Sequence, residues 1–282
     1  MNSMKYFRIS VRNGLALVLF CLTTSAFSQI SVSPTSLYIH SDTKIGTLYI
    51  SNGSEQPQEV SISVLFGYPG SDEAGNMTMV YEDSTAQGKY GLNDWVRVFP
   101  RTFTLAAKQQ QTVRVQVRAP RGIDEGTYWT RVKITSNAQT PDVEQAVTDQ
   151  ISTRVTFKFE QVIAAFYLNG KTETGLSIDR ITAEQTEKNL SLLASVVRTG
   201  NSPFIGMIKT ELLDEQGNSV LTREMTTAVY FDALRRVDLD VTDITPGKYT
   251  AKVTFETTRR DVDPADLVKC HPVSQTIPVE VK

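Results

Sequence analysis

Residues 151–167 read Ile-Ser-Thr-Arg-Val-Thr-Phe-Lys-Phe-Glu-Gln-Val-Ile-Ala-Ala-Phe-Tyr. Val155, Phe157 and Phe159 alternate with Thr156, Lys158 and Glu160. That period of two sets three large apolar side chains on one face of an extended strand and polar ones on the other. Beyond Gln161 the alternation stops, and 162–167 is apolar on both faces, as a strand reads once it is covered on each side. One long strand is thus expected to pass from a half-open setting into an enclosed one. It lies near the middle of the chain, where two domains would meet. Its apolar stripe either fills the core of its own domain or is offered to another chain.

The residues before this strand read as strands and turns. Residues 31–40 and 47–51 carry alternating apolar residues, and Asn52-Gly53-Ser54 marks a turn. Val60, Ile62 and Val64 give a strand ending at Pro69-Gly70; 70–76 reads as a loop, 77–81 as a short edge strand, and 82–93 as polar and irregular. Residues 95–100 and 102–105 follow. Val113, Val115 and Val117 then alternate with Arg114, Gln116 and Arg118 as a half-buried strand. After a turn at 122–126 comes a strand over 127–135, then a long polar loop over 137–149. About seven strands in roughly 140 residues, with turns at regular spacing, predict an immunoglobulin-like sandwich.

A second domain is expected after Tyr167. A linker-like stretch, 169–175, leads to strands at Ile178 and over 190–197, 204–213, 220–221, 228–231, 237–241, 249–255 and 277–281. Gln216-Gly217-Asn218 and Pro246-Gly247-Lys248 supply the turns. The fold class is all-β, with two sandwich domains, 29–167 and 168–282.

Residues 1–28 read as a cleaved secretory signal: Lys5, Arg8 and Arg12, then an apolar run over 15–22, then small residues up to Ser28. Removing those 28 residues leaves 254 of the 282, with 26 basic and 31 acidic side chains. That mild balance argues against nucleic acid as a partner. No later run is long and apolar enough to span a bilayer as a helix. The expected location is the periplasm. Cys270 is the one cysteine outside the signal, so no intramolecular disulfide can form in the mature chain. It reads as a partly buried thiol near the last strand.

Chemistry is sparse. The two histidines, His40 and His271, stand far apart. No spacing of His, Cys and carboxylates suits a tetrahedral metal, and Asp261, Asp263 and Asp266 lack the glycine and closing glutamate of a calcium loop. No nucleophile elbow, phosphate loop or dinucleotide fingerprint is present. No enzyme activity, cofactor or metal is expected. Asn52, Asn76 and Asn189 begin glycosylation sequons, read as chance matches.

The order of features resembles the periplasmic pilus-assembly chaperones of the chaperone–usher pathway. The residues that carry it are Ile30-Ser31-Val32-Ser33-Pro34-Thr35, then Phe99-Pro100-Arg101-Thr102-Phe103-Thr104-Leu105 through Gln111-Thr112-Val113-Arg114-Val115. Glu125-Gly126-Thr127-Tyr128 with its strand follows, and then the stripe Val155, Phe157 and Phe159. The resemblance implies two immunoglobulin-like domains in an L or boomerang arrangement. It also implies donor-strand complementation, in which a client subunit lacking one strand borrows the chaperone's, with Val155, Phe157 and Phe159 filling its groove. The implied partners are a secreted β-rich fimbrial or surface subunit and an outer-membrane usher.

Members of that family anchor the client's C-terminal carboxylate with two basic residues in the interdomain cleft. Here those positions are Ser36 and Ala164, and Arg131 stands where the family has an asparagine. Arg131, Lys133, Arg154 and Lys158 are the candidates for a relocated anchor, each set against being an ordinary surface charge. The alternative for the whole chain is an immunoglobulin-like structural or adhesive surface component without chaperone activity.

Overall fold

The computed structural model describes residues 30–138 and 158–282. The signal segment, Val155, Phe157 and Arg154 lie outside the described residues. The first part of the chain forms β1 (Ile30–Ser33), β2 (Ser36–His40), β3 (Ile45–Asn52), β4 (Gln58–Leu65), β5 (Tyr68–Ser71), β6 (Met77–Val80), helix α1 (Ser84–Tyr90), β7 (Val96–Phe99), β8 (Thr102–Leu105), β9 (Gln110–Val117), β10 (Gly126–Ala138) and β11 (Lys158–Asn169). The second part forms β12 (Thr174–Gln185), β13 (Asn189–Gly200), β14 (Phe204–Leu213), β15 (Ser219–Val229), β16 (Asp232–Asp240), β17 (Gly247–Glu256) and β18 (Val273–Val281).

Two sheets, ordered β1-β3-β9-β7 and β2-β11-β10-β4-β8, close the first sandwich. The alternation of Val113, Val115 and Val117 is what puts β9 there, since all three point into a core shared with Leu48, Ile50, Val132 and Ile134. A second sandwich pairs β12-β13-β16 with β15-β14-β17-β18 around Leu192, Val196, Phe204, Leu212 and Phe255. The chain is thus two all-β sandwiches, as the turn spacing predicted.

Four local expectations are corrected. Residues 31–40 form two strands rather than one continuous run. Pro34 has no N–H to give a ladder, and after it the chain crosses from the β1 sheet to the β2 sheet. The supposed loop over 70–76 begins inside β5, which pairs with β6 as a hairpin from Tyr68↔Val80 to Ser71↔Met77. The irregular stretch 82–93 contains α1: the Asp83 carboxylate caps it by accepting from the Ala86 N–H at 2.8 Å. Two turns with one buried residue, Ala86, are too short to show a helical period. The expected loop at 137–149 starts later, because Asn137 and Ala138 still belong to β10.

Asn52 shows what fixes the turns. Its side chain is buried, and Nδ2 lies 2.8, 3.0 and 3.1 Å from the carbonyls of Gln56, Leu105 and Ala106. Its Oδ1 accepts from the Ser54 amide and hydroxyl. A glycan on that nitrogen is incompatible with this arrangement. Asn52→Ala is expected to cost about 2–3 kcal/mol in urea unfolding, because carbonyls lose their donor inside the protein.

The two sandwiches meet through an aromatic layer. Phe66, Trp129, Phe166 and Tyr230 are buried there, with Tyr38, Tyr68, Tyr90 and Phe231 packed against them. Tyr90 stacks on Trp129 at 4.8 Å between ring centres, and Tyr230 meets Trp129 edge-on at 4.9 Å. The β5–β6 hairpin then clasps β16: Arg236 N–H donates to Gly75 O at 3.0 Å, and Leu234 N–H to Ser71 Oγ at 3.1 Å. Gly75 sits at φ +84°, and a Cβ there would stand 3.0 Å from that of Arg236, so only glycine allows the contact.

Candidate functional site

Over its described residues β11 passes from an open to an enclosed setting, but the enclosure begins at Ile163 rather than Val162. On one face Ile163, Ala165 and Tyr167 belong to the first core; on the other Phe166 and Leu168 belong to the aromatic layer. Before Ile163 the strand opens, and Phe159 and Val162 are 43% and 42% exposed. β10 pairs with β11 along its whole length, whereas β2 pairs with the opposite edge only from Ala164↔Ser36 to Leu168↔His40. From Glu160 to Ile163 that second edge meets no strand among the described residues. Gln161 closes the sandwich end, its Nε2 donating to Ile30 O at 3.0 Å.

The bare edge runs into a cleft of about 280 Å³ between the sandwiches, lined by Ser36, Ala164, Arg131, Tyr230, Arg259 and Asp261, with Met77, Met79 and Val162 at its side. The register explains its chemistry. Arg131 pairs with Ala164, and Ala164 with Ser36, so the three stand in one row across β10, β11 and β2. Positively charged Arg131 therefore lies one strand away from Ala164 and two from Ser36, the positions where the resemblance implies basic residues.

Arg131 is only 9% exposed. Its Nε donates to Gly67 O at 3.1 Å, Nη2 reaches the Tyr230 hydroxyl at 3.4 Å, and the guanidinium lies 5.8 Å from the Tyr230 ring centre. No carboxylate among the described residues pairs with it. Burial raises the Tyr230 hydroxyl above its ordinary pKa, with Arg131 pulling the other way. Arg259 contributes a second guanidinium, but Asp261 takes it in a two-pronged contact at 2.7 and 2.6 Å. Among the described residues, the cleft thus keeps one buried cation with no carboxylate beside it.

The other anchor candidates separate. Lys133 and Lys158 both turn to Glu160, at 3.4 and 3.1 Å, and the Lys158 contact together with Lys133 holds the Glu160 carboxyl below its usual range. Arg154 lies outside the described residues, as do Val155 and Phe157 of the donor stripe; Phe159 stands at the open end of β11. Arg259 and the two methionines were not singled out from the sequence. Met77-Thr78-Met79 carried a signal, since its alternation puts both thioethers on one face; Arg259 carried none, because its place depends on a contact across domains.

Elsewhere the chemistry stays quiet. Among the described residues no three His, Cys, Asp or Glu side chains gather as a metal site. His40 Nε2 lies 3.2 Å from Asp266 Oδ1, tying β2 to the second domain. Burial pushes the Cys270 thiol up, the opposite of an activated nucleophile. No helix among the described residues is long and apolar enough to cross a membrane.

No protein-family model matches this sequence. No curated protein matches it either. Solved structures resemble it at low identity. The YadV chaperone aligns with 13% identity and a TM-score of 0.49 over 89% of this chain and 100% of its own. A chain from the complex of the Salmonella enterica SafA pilin with the SafB chaperone aligns with 15% identity and a TM-score of 0.44, over 90% and 98%. The Pseudomonas aeruginosa CupB2 chaperone aligns with 11% identity and a TM-score of 0.42, over 89% and 100%. These are likenesses of trace; the two-sandwich architecture rests on the strand pairing of the chain itself.

Proposed function

We propose that this chain is a periplasmic chaperone that caps β-rich surface-fibre subunits by lending them the first half of β11 and the residues before it. The observation that supports this most directly is the β11 edge between Glu160 and Ile163, unpaired among the described residues and leading to a buried arginine. A strand laid on that edge gains main-chain hydrogen bonds, and its groove receives the alternating side chains Val155, Phe157 and Phe159. It must stop or turn out where β2 begins, at Ser36. A chain terminus satisfies that limit without a clash. Arg131 favours a carboxylate terminus over an ammonium one, so the client's own strand runs parallel to β11 and ends in the cleft. Arg131 is therefore the proposed anchor in place of Ser36 and Ala164, while Lys133 and Lys158 keep Glu160.

Co-expression with a secreted β-rich subunit encoded near it tests the proposal. A soluble one-to-one complex is expected, with the subunit aggregating when expressed alone. A subunit that folds alone and forms no complex assigns the chain instead to a structural or adhesive role. An usher-like barrel in the same gene cluster would fit only the chaperone reading.

A further inference from the structure

Three apolar side chains at the cleft have no role in the arrangement so far. Met77 and Met79 are 55% and 41% exposed, Val162 is 42% exposed, and all three line the space that holds Arg131. Most exposed apolar side chains on a soluble protein are scattered singly; three gathered beside a buried cation mark a surface meant to be covered. Their origin is specific. β6 is the outer strand of the hairpin, and its pairing Met77↔Ser71 and Met79↔Pro69 turns both thioethers the same way. The hairpin cannot swing aside, because Gly70 and Ser71 are held by Arg235, and Gly75 by the Arg236 amide. Val162 faces the same space from β11, two residues before Ala164.

We propose that Met77, Met79 and Val162 form an apolar wall that reads the final side chains of the bound polypeptide, so that the cleft prefers clients ending in large apolar residues. This rests on the reading of the cleft as the seat of a client's C-terminus. The charge pattern argues for that occupant. Arg259 and Asp261 neutralise each other, leaving Arg131 to attract one carboxylate, and the wall stands beside it. A free polypeptide end supplies both parts, an anion and an apolar side chain within one or two residues of it. Methionine suits such a wall, because its flexible thioether adapts to leucine, phenylalanine or methionine alike.

Short peptides test the wall without touching the donor stripe. Four tetrapeptides would be titrated into the full mature chain carrying methyl-labelled methionine. They end in Leu-Leu or Ser-Ser, each as the free acid and as the amide. The free acid ending in Leu-Leu is expected to bind about tenfold tighter than its Ser-Ser counterpart and to shift the Met77 and Met79 methyl signals. The amides should bind more weakly than either acid. The double variant Met77→Ser, Met79→Ser should erase the Leu-Leu preference while the Ser-Ser acid binds as before. Equal affinity for the two acids, unmoved methionine signals, or no binding by any peptide overturns the wall. None of those results touches capture of a whole subunit, which the co-expression experiment reads separately.

Discussion

Phe159→Glu is expected to abolish capture of the client subunit while the protein itself stays folded, and Phe157→Glu to do the same. Phe159 stands outside the buried core of the first sandwich and is 43% exposed, beyond the point where Gln161 closes the sandwich end. A carboxylate there remains in water in the unbound protein, so stability should change by no more than about 0.5 kcal/mol. In the complex the same side chain would enter an apolar groove. Losing the ring forfeits roughly 1.5–3 kcal/mol, and burying an unpaired charge costs several more. Binding should fall by at least about a hundredfold. Co-purification and a thermal melt, run together, check both halves. A variant that unfolds would show the stripe to be core, and the donor role would fail.

Arg235→Met is expected to cost about 2–4 kcal/mol of stability, because several buried acceptors lose their donor at once. Arg235 is 2% exposed, and no carboxylate among the described residues pairs with it. Its fork instead reaches Gly70 O at 3.0 Å, Ala228 O at 2.7 Å and Thr227 Oγ1 at 3.1 Å, together with Ser71 Oγ. Burial brings its pKa down to about 10, which still leaves it protonated at neutral pH. Methionine fills most of the volume but leaves those acceptors without a donor. Lysine should rescue little, because one ammonium cannot reproduce the planar fork. The hairpin would also loosen, so client affinity should fall along with stability. Urea unfolding measures the first effect and client titration the second; full rescue by Arg235→Lys would refute the fork argument.

Legibility followed periodicity. Val113, Val115 and Val117, or the change of environment along the described part of the strand, 158–167, could be read because a strand repeats every two residues and a sandwich covers one face. Where the chain broke the repeat, periodicity failed: Pro34 divided one apparent strand between two sheets, and α1 was too short to show a period. The anchor was harder. Arg131 was among the candidates, yet nothing local separates it from a surface charge. Its burial comes from Tyr230, 99 residues along the chain. Arg259 depends likewise on how the second sandwich meets the first.

The aromatic layer has a consequence for any attempt to divide the chain. Trp129 and Phe166 come from the first sandwich and Tyr230 from the second, and all three are at least 97% shielded where the halves face one another. Cut at the junction, each fragment would present a sticky aromatic plateau to solvent. Neither half is a spare part: they should melt together, and either one expressed alone should aggregate.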